Sequence, residues 1–247
     1  MKIGIVGGTG TAGRATAHAL ERLGHEVVVL SRARGVDVLS GKGLDEALVG
    51  VQAVVDAGNV MASGPEEEMK RAFVTATKNL LQAEARAGVK HHVLLSIIGI
   101  DRTPGNAHYV AKRAQEQALL NSPVPVSILR VSQFSEFAQM ALSWTRQGDT
   151  AHLPPLLLQP IAASEVGEAL AELAVGAAQG RVRDLAGPEA LDLIDMVRRI
   201  SAAKGDKLRI LPSWRTPLAG PEAAGESMLA GSDARLGEIT FDRWLAE

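Results

Sequence analysis

The stretch that decides the fold is KIGIVGGTGTAG, residues 2–13. Its first five residues form a short apolar run typical of a buried strand, and the glycine-rich segment that follows leads into apolar residues at helical spacing. The glycines at 8, 10 and 13 fit the pattern G-x-G-x-x-G, and those at 7, 10 and 13 fit G-x-x-G-x-x-G. A strand, a glycine turn and a helix in this order predict a cradle for the pyrophosphate of a dinucleotide.

The glycines of this turn meet different physical demands. One makes the tight turn, another lets the backbone approach the pyrophosphate, and Gly13 lets the helix pack close to the strand. The N–H groups around Thr11 and Ala12 would point at the phosphates, helped by the helix dipole. The residues expected to bind the cofactor here are Gly7, Thr9, Gly10, Thr11, Ala12 and Gly13.

Apolar strands alternate with helical patterns through the first half of the chain. The elements expected in chain order lie at residues 2–6, 11–23, 26–30, 44–49, 51–55, 65–87, 91–96, 107–120 and 124–129. This alternation predicts an α/β fold of Rossmann type, a doubly wound parallel sheet with helices on both faces. One crossover is unusually short, because only residues 31–35 separate the second strand from the apolar residues 36–39. Whether residues 36–39 form a full third strand is therefore open.

The pattern loosens in the second half of the chain. We expect residues 1–133 to form the dinucleotide-binding core and residues 134–247 to form mostly a small C-terminal α/β lobe. Some elements near residues 160–190 are expected to return to the core. Three prolines, at 154, 155 and 160, are expected to interrupt any regular element around them.

The composition excludes several classes of protein. The chain has 247 residues, no cysteine, a formal net charge of −2 and 3% aromatic residues. Without cysteine there is no disulfide framework, iron–sulfur cluster or thiol nucleophile, and no histidines stand at ligand spacing, so no metal is expected. The charge and the few aromatic residues disfavour nucleic acid as a partner. With no signal peptide and no apolar run of about 20 residues, we expect no membrane partner and a cytoplasmic location.

The end of the second expected strand bears on the choice between NAD and NADP. An acidic residue there would bind the ribose diol of NAD, but the chain has Ser31, Arg32, Ala33 and Arg34. Arg32 can pair with a 2′-phosphate through its planar guanidinium, Ser31 can donate a hydrogen bond to it, and Arg34 is a second candidate. These residues favour NADP(H) over NAD(H), the alternative being that the arginines are solvated loop charges.

Several segments resemble the NmrA-like branch of the atypical short-chain dehydrogenase/reductase superfamily. They are the glycine turn, the Ser-Arg pair at 31–32, and the segments TATKNLL at 75–81, GVK at 88–90, HVLLS at 92–96, ILRVSQF at 128–134 and EITFDRWL at 238–245. The resemblance covers nearly the whole chain. It implies a Rossmann core, a small C-terminal lobe and a substrate cleft between them.

The resemblance also implies which loops line the cofactor cleft. After the strands these are the segment Ala57, Gly58 and Asn59, the segment beginning at Ser96, and Ser132 with Gln133. For Ser132 and Gln133 the alternative is a loop that only caps an element. Met61 could touch the nicotinamide or serve as core packing. His91 and His92, at the start of an expected strand, are predicted to be surface residues.

The catalytic residues implied by the resemblance are incomplete. Members typically use Ser, Tyr and Lys, with Tyr-x-x-x-Lys on one helix face. Lys112 fits the lysine that holds the ribose, and Ser96 is the candidate serine, but His108 stands four residues before Lys112, and Tyr109, the only tyrosine, stands three before it. Three interpretations follow: His108 is a proton donor with a pKa suited to neutral pH, Tyr109 turns in, or the site has no acid.

Two functions are compatible with these residues. The first is an NADPH-dependent reductase of a small apolar or aromatic carbonyl or quinone, working as a monomer or homodimer. The second is a dinucleotide-binding redox sensor of NmrA type that does not turn over. The apolar residues expected to wall a substrate pocket are Phe134, Phe137, Met140, Trp144, Leu153 and Trp214.

Overall fold

The chain forms two compact units. The computed structural model describes residues 1–60, 64–216 and 218–247, so Met61 lies outside the described residues. Unit 1 consists of Met1–Ile97, Ala107–Arg130 and Ala163–Arg183. Unit 2 consists of Ile98–Asn106, Val131–Ala162 and Asp184–Glu247.

Unit 1 holds the first strands and the helices that connect them. Its strands are β1 (Lys2–Val6), β2 (Glu26–Leu30), β3 (Ala53–Asp56), β4 (His91–Ile97), β5 (Val126–Val131, whose last residue belongs to unit 2) and β9 (Gly180–Arg181). Its helices are α1 (Thr11–Arg22), α2 (Leu44–Ala47), α3 (Glu66–Ala87), α4 (Ala107–Leu119) and α6 (Ala163–Val175), with a 3-10 turn at Arg32–Arg34.

The strands of unit 1 form a parallel sheet in the order β5-β4-β3-β1-β2, and β9 pairs with β5. Ile3 of β1 pairs with Val27 of β2 on one side and with Ala53 of β3 on the other. The strand order reverses between β1 and β3, so right-handed crossovers send the connecting helices to opposite faces. The expected doubly wound parallel sheet is therefore confirmed. The reversal also brings together the loops that follow β1 and β3, where ligands bind in such sheets.

The helices of unit 1 pack in pairs, α1 with α6 and α3 with α4. The contact between α1 and α6 is close, because a Cβ added at Gly167 would lie 2.5 Å from the carbonyl carbon of Ala15. The apolar residues of β1 and β3 are covered on both faces, with Ile3, Ile5 and Val54 all 0% exposed. This coverage explains why the strands read as continuous apolar runs rather than as alternating ones.

The segment after β2 contains no strand. Residues 36–39 make only an isolated antiparallel bridge, between Asp37 and Lys42. Gly41 and Gly43 adopt φ values of +78° and +74°, which favour glycine, and the chain then enters α2. The open question about a third strand is resolved, since a crossover this short cannot return the chain to a parallel position beside β2.

His91 and His92 are buried, with 4% and 0% of their surfaces exposed, so the prediction that they are surface residues is wrong. The physical reason is that β4 is an interior strand, between β3 and β5, and its first residues are already covered. His91 Nε2 lies 2.9 Å from Ser127 Oγ, and His92 Nδ1 lies 2.9 Å from a carboxylate oxygen of Glu84.

Unit 2 is built of shorter elements. Its helices are α5 (Phe137–Thr145), α7 (Leu193–Ala203) and α8 (Phe241–Ala246), with a 3-10 turn at Pro221–Ala223. Its strands are β6 (Arg146–Gln147), β7 (Thr150–Leu153), β8 (Leu157–Leu158), β10 (Leu185–Ala186), β11 (Leu191–Asp192), β12 (Arg209–Pro212) and β13 (Arg235–Leu236). β12, β7 and β6 form one small sheet, and β11 pairs with β8. β10 pairs in parallel with Val131, the last residue of β5, and with β13.

The three prolines interrupt regular structure as expected, and short strands lie before and between them. β6 and β7 form an antiparallel hairpin across Gly148, whose φ of +64° suits the turn. β7 ends at Leu153, directly before the first proline, so the missing proline N–H groups fall outside the strand. Among the helices in the part of the chain that the structure describes, none is both long and apolar enough to cross a bilayer.

Candidate cofactor site

The glycine turn joins β1 to α1 and is shaped by two close backbone approaches. Gly7 has φ +73°, and a Cβ there would lie 2.6 Å from the carbonyl oxygen of Ala57. A Cβ at Gly13 would lie 2.2 Å from the carbonyl oxygen of Gly7. The amide of Gly10 donates to that same oxygen at 2.8 Å and closes the turn. The fold itself therefore requires glycine at positions 7 and 13.

Gly10 differs from these two glycines. Its φ of −83° and ψ of 177° are open to any residue, and the one described atom that an added Cβ would meet within 4 Å is the Gly7 carbonyl oxygen, at 3.3 Å. The space beside Gly10 thus fits a ligand group that comes close to the backbone. α1 starts directly after it, with no capping side chain and no acidic residue in its first turn. The amides of Thr11, Ala12 and Gly13 have no helical partner, so this end of α1 fits a phosphate anion.

The end of β2 presents an unsatisfied hydroxyl. Ser31 Oγ is buried and has no hydrogen-bond partner among the described residues. Arg32 and Arg34 lie in the 3-10 turn directly after it, and both are exposed. A buried orphan hydroxyl beside two arginines fits the 2′-phosphate of NADP, because it would supply an acceptor for Ser31 and an anion for Arg32.

The loop after β3 is held by the last residue of that strand. Asp56 is buried, and its Oδ1 accepts a hydrogen bond of 3.0 Å from the amide of Gly58. The amide of Ala57 donates to the carbonyl oxygen of Val6 at 3.1 Å. Ala57 and Gly58 are thereby fixed beside the glycine turn, at the strand reversal, while Asn59 is exposed.

Lys112 is buried inside unit 1. Its Nζ donates to the carbonyl oxygen of Leu95 at 2.7 Å and to Oε1 of Gln115 at 2.5 Å, and it lies 5.9 Å from the centre of the Phe73 ring. Burial lowers the pKa of Lys112 to about 8, against the opposing effect of the Asp56 and Glu116 carboxylates. A pKa in this range leaves the side chain mostly protonated at pH 7.

Ser96 belongs to a buried ionic cluster. Its Oγ donates to Glu116 Oε1 at 2.5 Å. Arg130 binds the same carboxylate through two donors, Nε to Oε1 at 2.8 Å and Nη2 to Oε2 at 2.6 Å. Serine, glutamate and arginine are all less than 10% exposed. The only proton of the Ser96 hydroxyl is therefore directed to Glu116.

His108 and Tyr109 occupy different surroundings on α4. Tyr109 is buried, whereas His108 is half-buried and meets the edge of Phe73 at a centroid distance of 5.6 Å. Burial, with a smaller contribution from the Lys112 ammonium, lowers the pKa of His108 to about 4. The expectation of a pKa suited to neutral pH is therefore wrong, because a partly desolvated ring beside a cation favours its neutral form.

Sequence reasoning missed four residues of this region, namely Asp56, Gln115, Glu116 and Arg130. Gln115 and Glu116 follow Lys112 by three and four positions, so helical spacing alone would have placed them on its face. Asp56 and Arg130 carry no such local signal. They stand at the carboxyl ends of expected strands, where a charged residue that ends an apolar run is the one available indication.

The other expected site residues lie in unit 2. Ser132 is buried, and its Oγ accepts a hydrogen bond of 3.3 Å from the Gly187 amide. Of the six apolar residues expected to wall a pocket, Leu153 is fully buried, whereas Met140 and Trp144 of α5 are 42% and 56% exposed. Phe137 contacts Trp144 edge to face at 6.5 Å. Phe134 and Trp214 are half-buried.

Solved structures share this fold at low sequence identity. A short-chain dehydrogenase/reductase superfamily protein from Agrobacterium tumefaciens with bound NAD is 20% identical, with a TM-score of 0.70 over 100% of this chain and 95% of that one. The NADPH-dependent quinone oxidoreductase from Escherichia coli is 18% identical, with a TM-score of 0.66 over 85% of this chain and 78% of that one. These likenesses establish the fold.

Sequence comparison adds a relative and a family. The photosystem II assembly factor Ycf39 of Synechocystis is 27% identical over 150 residues, which are 55% of this chain and 46% of that protein. The match thus spans less than half the length of that relative. The model of the NAD(P)H-binding family matches residues 7–174, which include the glycine turn, the Asp56 loop and Lys112. The chain belongs to this NAD(P)H-binding family.

Proposed function

We propose that the protein is an NADPH-dependent reductase that transfers a hydride to a small apolar or aromatic acceptor of quinone type. The observation that carries the proposal is a cofactor cradle without a strong acid beside it. The ring of His108 is neutral at pH 7, and the Ser96 hydroxyl donates to Glu116. A carbonyl would find neither an imidazolium nor a free hydroxyl proton in these two groups, whereas a quinone needs little acid assistance.

Different residues of unit 1 bind different parts of the cofactor. The amides at the start of α1 bind the pyrophosphate, and Ser31 with Arg32 binds the 2′-phosphate. Lys112 uses two of its three N–H groups on Leu95 and Gln115, which leaves the third for a ribose hydroxyl. When bound, NADPH supplies the hydride, and a quinone that takes this hydride and one proton from solvent leaves as the hydroquinone.

Related proteins support the choice of acceptor without deciding it. The structurally similar protein from Escherichia coli is named as an NADPH-dependent quinone oxidoreductase and was solved with NADPH. Tyr109, which is buried, remains a candidate acid only if its helix turn rearranges.

Two measurements test the proposal. Calorimetric titration with NADPH and with NADH should show tighter binding of NADPH, with the preference reduced in Arg32→Ala and retained in Arg22→Ala, which removes an exposed arginine of α1. Consumption of NADPH should then be followed with a benzoquinone and a naphthoquinone, and Lys112→Met should abolish it. Equal binding of NADH would refute the role of Arg32, and binding of neither cofactor would refute the proposal as a whole.

The second candidate function is a redox sensor that binds the dinucleotide without turning it over. The same two observations favour it, since a site whose histidine is neutral and whose serine is occupied lacks the usual acid. Tight NADPH binding with no quinone reduction over the whole panel, in wild type and Lys112→Met alike, would establish the sensor and exclude the reductase.

A further inference from the structure

Gln115 is a buried amide whose polar atoms are all used within unit 1. It is 1% exposed and lies on α4, one helical turn after Lys112. Its Oε1 accepts from Lys112 Nζ at 2.5 Å, and its Nε2 donates to Asp56 Oδ2 at 3.0 Å and to Thr77 Oγ1 at 3.2 Å. The amide orientation follows from the charges, because its oxygen faces the ammonium and its nitrogen faces the carboxylate.

These contacts continue to the cofactor loop. The other carboxylate oxygen of Asp56 accepts from the Gly58 amide at 3.0 Å. A continuous chain of hydrogen bonds therefore runs from the Gly58 backbone through Asp56 and Gln115 to the Lys112 ammonium. At one end is Lys112, which the proposed function assigns to a ribose hydroxyl, and at the other is Gly58, which the family resemblance implies lines the cofactor cleft.

We propose that Gln115 is a positioning residue, which sets the Lys112 ammonium and the Gly58 loop in a fixed relation so that both meet the same bound dinucleotide. The inference rests on the proposed function for the identity of the ligand and goes beyond it in assigning the coupling. Glutamine suits this role because it bridges the two charges while it donates to one and accepts from the other. Glutamate would repel Asp56, and leucine would leave both charges without this partner.

The titration of Lys112 in the free protein gives a readout that needs no cofactor. The charged or titratable groups that act on this ammonium are Asp56 from β3, His92 from β4, and His108 and Glu116 from α4. A carboxylate placed at position 115 would add an anion within contact distance of Nζ. Opposite charges this close raise a lysine pKa by about one unit or more.

The experiment compares Gln115→Glu and Gln115→Leu with Gln117→Glu, a matched change at an exposed glutamine of the same helix. The carbon shift of the Lys112 ε-methylene is followed against pH in 13C-lysine-labelled protein without cofactor, with Lys112→Met used for assignment. We expect the midpoint to rise in Gln115→Glu, to fall in Gln115→Leu, and to stay at the wild-type value in Gln117→Glu.

NADPH titration of the same variants tests the other end of the chain of hydrogen bonds. We expect affinity for NADPH to fall about tenfold or more in both Gln115 variants, equivalent to ~1.4 kcal/mol, and to be unchanged in Gln117→Glu. Unchanged midpoints in folded Gln115 variants would overturn the contact, and shifted midpoints with unchanged NADPH affinity would overturn the positioning role. Wild type that binds no NADPH while the midpoints shift would refute the proposed function and the positioning role, and leave only the contact.

Discussion

Ser96 donates its hydroxyl hydrogen to Glu116 across 2.5 Å, and both side chains are buried. Glu116 lies one helical turn after Lys112, and each of its two carboxylate oxygens accepts a hydrogen bond from Arg130. The serine that the family resemblance assigns to catalysis is thus part of an ionic cluster. Its contribution can be separated into stability and turnover by substitution.

Ser96→Ala should lower stability more than activity. The mutation removes a hydrogen bond to a charged group, worth about 1.5–3 kcal/mol, but leaves both Arg130 contacts to Glu116 in place. We expect urea unfolding to show this loss, while kcat for quinone reduction changes by less than about threefold. Ser143→Ala, at an exposed serine that donates to a backbone carbonyl, serves as the control. A large loss of kcat with little loss of stability would instead make Ser96 a catalytic residue.

Arg130→Met should be strongly destabilising, because it leaves the Glu116 carboxylate buried without its guanidinium partner. Removing one member of a buried ion pair costs about 3–5 kcal/mol. Arg86→Met breaks an exposed pair with Asp45 of similar length, 2.7 Å, and such pairs contribute about 0–1 kcal/mol. Urea unfolding of the two variants compares these two costs, and the free energy of unfolding should fall much further in Arg130→Met than in Arg86→Met.

The double variant Glu116→Gln with Arg130→Met tests the same cluster from the other side. This variant removes the unpaired carboxylate charge of Glu116, so we expect it to recover part of the stability lost in Arg130→Met. Equal losses in the two variants would show that packing of the Arg130 stem, rather than the buried charge, sets the cost.

His108 should make folding sensitive to acid. Its pKa in the folded protein is about 4, against 6.5 for an unperturbed histidine. Between these two values the unfolded chain binds a proton that the folded protein does not, so the free energy of unfolding falls as the pH drops from 6.5 towards 4. The measurement is urea unfolding at a series of pH values. His108→Phe, which keeps a ring against Phe73, should show a shallower fall than wild type, and His18→Phe, at an exposed position, should match wild type.

How far the sequence predicts this molecule depends on whether the signal is local. The strand bounds of β1 and β2 follow from short apolar runs next to glycines, and both match the structure. The burial of His92 against Glu84 cannot be predicted from a local pattern. It depends on β4 becoming an interior strand and on α3 lying across it. A sequence pattern indicates where a strand begins, but it does not indicate which elements will cover that strand.

The residues of the candidate site also differ in whether a local sequence signal indicates them. The glycine turn is recognised from residue types at fixed spacing within two consecutive elements, and Lys112 from a helix segment that resembles a family motif. Asp56 and Arg130 join the site only because β3 and β5 end at the same edge of the sheet, next to α4. The pKa of His108 is equally inaccessible to sequence, since desolvation by Phe73 and its surroundings sets it.

The glycines at positions 10 and 13 should separate cofactor binding from folding. A Cβ at Gly13 would lie 2.2 Å from the Gly7 carbonyl oxygen, so Gly13→Ala forces the backbone apart. The expected loss of stability is about 1–3 kcal/mol, more than the gain of ~1 kcal/mol that alanine brings to a helix. At Gly10 the nearest atom would be 3.3 Å away, a tight contact but not a clash, and the backbone conformation is open to alanine. Gly10→Ala should therefore lose less stability than Gly13→Ala.

Affinity for NADPH should be reduced in Gly10→Ala, the variant expected to lose less stability. The methyl group of Gly10→Ala would occupy the space in which a phosphate meets the backbone, so we expect its affinity for NADPH to fall about tenfold or more, ~1.4 kcal/mol. Thermal unfolding with and without NADPH measures both properties in one series, because a ligand that binds only the folded state raises the midpoint. A wild-type NADPH-induced shift in Gly10→Ala would mean that the dinucleotide does not approach this turn, and that the space beside Gly10 has another cause.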